Sequence, residues 1–354
     1  MKAKNIFISL ICLLLVAFSA QAQRLTNYTD QDGLAGNTVY FIEQDAQNYL
    51  WITTETGVSR FDGYRFVNYY QKDGLADNEN FGFSDLGEQL WFHSANGKPC
   101  VLEDNQFKPI DLNGENEQNS KGFIMDYARF QGAIFAGTFG NDLWKIEGDK
   151  TEQIPLDILP FISCLEAFGD ELFIFASEEI SVWNGEKHKI IHQYETGEHI
   201  LRCARKGNKV LLKGLRSLLL FDMESKEVKR LKTAVRLDEI IHFSVHQGYF
   251  WVGTMHGACK ANIVSDSLVL GEFILPKYAV SSVCTDHEGN KWFSTLTKGI
   301  FMQAKISTSY VSELNEELFS IAEKGGKVYV GGDFNQVYVI ENERLDTNYL
   351  VNLT

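Results

Sequence analysis

His242 and His246 are the first residues whose type and spacing invite a chemical reading. Two histidines four apart on a helix share one face and can hold zinc. On a strand, four residues run roughly 13 Å, too far for one ion. These two fall in the first strand of a repeated extended unit, so no metal site is read from them. No nucleophile elbow, phosphate loop or dinucleotide fingerprint occurs. A glycosidase needs two facing carboxylates, and no motif singles out a pair among the 47 acids. No catalytic residue, metal or cofactor is therefore assigned. What remains is binding, through Thr54, Glu55, His93, Asn96, Phe139, Asn141, His256 and Lys298. These polar groups beside an aromatic ring suit a sugar, which needs hydrogen bonds and an apolar ring face. Taken singly, each also reads as an ordinary turn residue.

Those residues follow short apolar runs, and the runs repeat. The segment 24–37, RLTNYTDQDGLAGN, aligns with 65–78, RFVNYYQKDGLADN, at an offset of 41 residues, with eight of fourteen positions identical. Between them lies a strand-turn pattern centred on Leu50-Trp51-Ile52. Trp51 is followed at near-regular spacing by Trp91, Phe135, Phe173, Leu211, Trp251, Trp292 and Tyr329. A period near 40 with four short strands is the size of one β-propeller blade. With 25 Phe, 14 Tyr, 6 Trp and 29 Gly, the composition favours the same all-β reading. One four-stranded sheet cannot bury both faces, so blades must pack face to face around an axis. Trp51, Trp91, Trp251 and Trp292 are expected to fill the layers between them. Eight units are countable. Seven blades plus the opening of a second ring is the favoured arrangement, and one ring of eight is the alternative.

Loops after each second strand should share a face with the blade-to-blade loops, and binding residues concentrate on such loops. Asp286 and Gly289 are expected to build a tight hairpin turn before Trp292, the carboxylate bonding backbone N–H groups and the glycine taking positive φ. Units around Phe173 and Leu211 lack this turn chemistry and rest mainly on the period. Residues 24–37 match an outer strand without its blade, so 24–30 are expected to pair onto the last blade and close the ring.

The N-terminus reads as an export signal. Lys2 and Lys4 precede an apolar run from Ile6 to Phe18, and Ala20 and Ala22 are spaced for cleavage before Gln23. Thirteen residues fall short of the ~20 needed to span a bilayer. The domain reading is a signal peptide over 1–22 and a propeller over 23–354. Export to the periplasm is expected, with secretion as the alternative and no membrane span in the mature chain. A net charge of −14 argues against nucleic acid as a partner. Five cysteines follow the signal. Cys164, Cys203 and Cys284 sit 8 or 9 residues before their unit's central residue, which favours small buried thiols over a disulfide.

The combination of Tyr28, Asp32-Gly33-Leu34, Asn37, Asp45, Leu50-Trp51-Ile52, Thr54, Gly57 and Phe61-Asp62-Gly63 resembles the two-component regulator propeller repeat family. Tyr69, Asp73-Gly74-Leu75, Asn78, Asp85 and Leu90-Trp91 repeat it. The resemblance is strong over 24–107, good over 240–301 and weak over 150–235. It implies the periplasmic sensor region of membrane-bound histidine kinases, often in systems that control glycan use. Full receptors of that kind resemble two propellers, a β-sandwich, a membrane helix and a kinase. The expectation is accordingly a non-enzymatic, glycan-responsive sensor propeller lacking the membrane helix and kinase. Its expected partners are an oligosaccharide and a second copy in a receptor dimer. The alternatives are an exported propeller hydrolase or lyase, and a protein–protein scaffold. The segment Thr285–Trp292 also approaches the sialidase Asp-box, S-x-D-x-G-x-T-W, but its turn is one residue longer, which fits the regulator repeat.

Overall fold

Runs such as Leu50-Trp51-Ile52-Thr53-Thr54, bulky and β-branched, are stiff in χ1 and fit a pleated surface buried on both faces. All five of these residues are buried. A computed structural model describes residues 25–87, 89–112, 122–140, 142–156, 161–305, 318–324, 327–332, 336–341 and 344–352. The signal segment 1–22, the cut before Gln23 and Asn141 lie outside the described residues. The chain divides into two units, Met1–Ala304 and Lys305–Thr354.

In the first unit, among the described residues, seven four-stranded antiparallel sheets follow one another. Their innermost strands are Val39–Gln44, Asn80–Asp85, Ile124–Phe130, Ile162–Phe168, Ile200–Lys206, Ile240–His246 and Val280–Thr285. Each of these strands contacts the next, and Val39–Gln44 contacts Val280–Thr285, so the sheets close a ring and form a β-propeller. The fifth and sixth sheets also touch at their outer strands through a two-residue parallel pairing, Lys232 with Ser267 and Thr233 with Leu268. The weakly patterned region 150–235 contains complete sheets, over residues 162–193 and 200–233.

The seventh sheet takes its outer strand from the start of the chain. Leu25–Tyr28 pairs antiparallel with Ile300–Gln303, with Leu25 opposite Gln303 and Tyr28 opposite Ile300. This is the closure expected from the orphan match at 24–37. Asn27 Nδ2 donates to the carbonyls of Lys298 and Ile300 at 2.8 and 2.9 Å. The Tyr28 ring lies 5.7–5.9 Å from the rings of Phe61, Phe66 and Trp292.

Apolar layers fill the space between neighbouring sheets. Trp51 packs with Phe83, Phe92 and Phe107 of the second sheet. Trp91 packs with Tyr127 and Trp144 of the third, Trp251 with Val280 and Phe293 of the seventh, and Trp292 with Ile42, Ile52 and Phe61 of the first. The four tryptophans are 2–4% exposed.

The repeated turn residues have direct jobs. Asp32 Oδ2 accepts from the Thr29 N–H and Asn37 Oδ1 from the Asp30 N–H. Asp73 and Asn78 do the same for Tyr70 and Gln71. Gly33 and Gly74, at φ 104° and 103°, end the two short helical turns in the left-handed region. Asp45 Oδ1 accepts from the N–H of Gln47 and Tyr49, while its Oδ2 accepts from the Trp51 indole at 2.7 Å. Asp286 accepts from Asn290 N–H and from the Trp292 indole at 2.8 Å, with Gly289 at φ 87°. One carboxylate thus shapes the hairpin and anchors the tryptophan six residues on.

The cysteine expectation needs correction. Cys164 and Cys203, on the inner strands of the fourth and fifth sheets, form a disulfide with Cα atoms 6.4 Å apart. Cys164 lies opposite Phe175 and Cys203 opposite Leu212, one position apart in the repeat register, so the two side chains leave opposite faces of their strands and meet between adjacent sheets. Cys100, Cys259 and Cys284 are free and buried.

Described by itself, the second unit has one antiparallel sheet of four strands, Leu318–Lys324, Lys327–Gly332, Gln336–Glu341 and Arg344–Asn352. Val330, Tyr338 and Val339 are buried there. Among the described residues no helix is long and apolar enough to cross a membrane.

Candidate functional site

One recurring backbone bond builds the candidate face. The residue after each second strand donates its N–H to the residue just before the inner strand of the same sheet. The pairs are Glu55 to Thr38, Ala95 to Glu79, Phe139 to Phe123, Ser177 to Phe161, Leu215 to His199, Met255 to Glu239 and Leu296 to Ala279. Both loop sets are thereby held at one end of the ring. Phe81, Phe139, Leu215 and Met255, all at that end, are 38–52% exposed.

Five rings form an unbroken arc there. Tyr40 lies 5.3 Å from Phe81, and Phe81 lies 5.5 Å from Phe123. Phe139 stacks between Phe123 at 4.8 Å and Phe161 at 4.9 Å, with interplanar angles of 17° and 18°. Offset stacking of this kind holds rings rigidly at low entropic cost. Two carboxylates stand at one end. Tyr40 Oη donates to Glu79 Oε1 at 2.6 Å, and burial followed by that bond raises the phenol above its ordinary range. Glu55 Oε1 accepts from the Thr38 N–H, while its Oε2 is buried with no protein donor.

The residues singled out from sequence separate in the structure. Thr54 is a turn residue: its hydroxyl donates to the Gly57 carbonyl at 2.8 Å and accepts from the N–H of Thr56 and Gly57. Asn96 is another, bonding the Ala76 carbonyl and the Lys98 N–H. His256 and Lys298 are exposed, and their backbone N–H groups donate to Thr254 and Thr295 of equivalent turns. Glu55 and Phe139 are the two that lie on the aromatic face. His93 points inward instead, its Nε2 3.0 Å from Ser84 Oγ.

Ser84 leads to a second feature, the polar channel lined by the inner strands. Its hydroxyl donates to Asp126 Oδ1 at 3.0 Å, and Asp126 Oδ2 accepts from the Leu165 N–H. Burial pushes the Asp126 carboxyl up to about 6, against the three hydrogen bonds that favour its charged form. Glu166, on the next inner strand, is raised to about 7 by burial and then by Asp126, although Arg205 holds it at 3.0 Å. Burial lowers His93 to about 4 and His242 to about 3. Elsewhere in the channel His246 Nε2 stands 3.4 Å from Glu43 Oε2. Glu43, Asp126, Glu166 and Arg205 were not singled out from sequence, and Cys284 was read there only as a small buried thiol. The available signal was ionisable residues within strands that are otherwise apolar.

Comparison with known proteins agrees with this architecture. Residues 33–56 match the two component regulator propeller family. The chain is similar to the extracellular domain of a proposed hybrid two component system, BT3049, from B. thetaiotaomicron, at 18% identity and a TM-score of 0.62. That match covers 93% of this chain and 49% of the other, so this chain spans about half the length of that relative. It is also similar to a streptogramin B lyase structure, at 12% identity and a TM-score of 0.63, covering 79% and 96% of the two chains. The WD40 β-propeller domain of Doa1 matches at 9% identity and a TM-score of 0.59, covering 80% and 97%. At these identities the structural likenesses speak for the fold. No curated protein matches by sequence.

Proposed function

We propose that this chain is the exported, ligand-reading propeller of a two-component signalling receptor, and that it binds a neutral oligosaccharide on the aromatic loop face. The observation that carries the binding site is the arc Tyr40-Phe81-Phe123-Phe139-Phe161, with the half-buried Glu55 near its Tyr40 end. Sugar rings present an apolar face to aromatic side chains and hydroxyl donors to carboxylates. The repeat at 33–56 and the half-length match to a two-component extracellular domain support the receptor assignment. On this reading residues 1–22 are removed on export to the periplasm, and the second unit opens a further propeller. The acidic balance of the chain disfavours polyanionic glycans.

Calorimetry of the purified chain against a panel of neutral oligosaccharides tests the proposal. Binding should weaken about tenfold in Phe139→Ala, which removes one stacking ring. Silence across the panel, or equal affinity in Phe139→Ala, refutes it. A propeller hydrolase or lyase is the second reading. It draws on Asp126 and Glu166, two channel carboxyls raised toward neutrality. Shorter sugars released in the same mixtures, and lost in Asp126→Asn, decide for that reading.

A further inference from the structure

Glu43, His246 and Cys284 come from the inner strands of the first, sixth and seventh sheets. One ligand atom from each lies within 4.8 Å of the other two. Glu43 Oε2 is 3.4 Å from His246 Nε2, and Glu43 Oε1 is 3.4 Å from Cys284 Sγ. Ligand atoms held about 2.0–2.3 Å from a tetrahedral zinc stand roughly 3.3–3.8 Å apart, so small side-chain shifts suffice to gather all three. His246 Nε2 is buried, and the contact it makes with Glu43 Oε2 at 3.4 Å falls short of a hydrogen bond, which leaves the imidazole under-satisfied.

We infer that Glu43, His246 and Cys284 form a zinc site in the propeller channel, across the seam where the ring closes. A thiolate, an imidazole and a carboxylate together select a borderline cation such as Zn²⁺ over Ca²⁺ or Mg²⁺, which prefer oxygen alone. On metal binding the Cys284 S–H bond breaks, its proton is released to solvent, a sulfur–metal bond replaces it, and the Glu43 oxygen that accepted from that thiol is freed for the metal. Charge nearby supports a cation: Asp85 acts on Glu43, and Asp286 acts on Cys284. Three protein ligands leave a fourth tetrahedral position for water or a ligand group. His242, four residues before His246, contacts the ring of Phe41 at 5.7 Å and takes no part. The within-strand spacing argument therefore holds for the histidine pair but does not exclude a site assembled from three sheets.

The purified full chain is titrated with Zn²⁺ and with Co²⁺ as a spectroscopic stand-in, without added thiol, which would compete for metal and reduce the disulfide. One Co²⁺ per chain should bind with a thiolate-to-cobalt charge-transfer band. Zn²⁺ should displace it and raise the melting temperature. Cys284→Ser should abolish the band and weaken zinc more than 100-fold, beyond what loss of an outer-sphere contact does. Cys259→Ser should change neither. His246→Gln gives an independent second variant, and metal-free melting curves separate lost ligation from lost folding. Cobalt binding without the band, a band that survives Cys284→Ser in a folded protein, or no stoichiometric binding by the parent chain would each overturn the site.

Discussion

Replacing Trp51 with alanine tests whether the repeated tryptophan holds neighbouring sheets together. Trp51 is 2% exposed and packs against Tyr69, Phe92 and Phe107 at 5.7, 6.0 and 6.3 Å. Burying of order 200 Å² of such a ring at about 25 cal/mol per Å² contributes roughly 5 kcal/mol. Allowing for the methyl that remains and for partial collapse, large-to-small changes of this kind cost about 3–5 kcal/mol. The indole also satisfies Asp45 Oδ2 at 2.7 Å, and Asp45 is itself 9% exposed. Losing that donor adds about 1–3 kcal/mol. Trp51→Ala should therefore lose about 4–8 kcal/mol, and Trp51→Phe about 1–3 kcal/mol, since it keeps most of the packing and loses the bond. Urea unfolding followed by far-ultraviolet circular dichroism reads both, as a fall in midpoint at unchanged slope. A loss below about 1 kcal/mol in Trp51→Ala would show that the layer does not depend on this residue.

Three further outcomes are expected. Deleting residues 25–28 exposes the Ile300–Gln303 edge, so the variant should melt lower and associate in light scattering; parent-like melting as a monomer would refute ring closure by that strand. Replacing Cys164 and Cys203 together with serine releases a cross-link between residues 39 apart and should cost about 2–4 kcal/mol in urea unfolding without reductant; an unchanged midpoint would refute a stabilising bridge. Asp126 is raised from 3.8 to about 6, so the folded state keeps its proton where the unfolded chain has lost it, and stability falls as pH climbs through that interval. Relative to Asp126→Asn the parent should lose about 2 kcal/mol between pH 4 and pH 6.5. Parallel pH profiles would refute a buried, proton-holding Asp126, and the opposing contribution of His93 makes the comparison with the variant necessary.

The sequence by itself determined what is local and repeated. Asp45 and Trp51, or Asp286 and Trp292, act within one hairpin, and the same chemistry recurs about every 40 residues, so unit, strand order and buried faces can be read along the chain. The orphan match at 24–37 likewise announced the strand that completes the seventh sheet, because an unpaired outer strand has a unique place to go. Phe139 and Glu55 could be placed on the loop face, but their partners could not be named. Phe123 is held to Phe139 within one sheet, but Phe81 lies on the inner strand of the sheet before and Phe161 just ahead of the inner strand of the sheet after, and only radial packing of the sheets brings those two to the stack. The channel lies further from sequence reading. Cys164 and Cys203, 39 residues apart, meet because consecutive sheets pack face to face, and Glu43 and Cys284, 241 residues apart, meet because the ring closes. Spacing along one strand says where two side chains of that strand can reach; it carries no information about a third that arrives across the axis. That meeting is decided by the packing of whole sheets, whose apolar layers leave their inner edges, and the ionisable groups on them, facing one another.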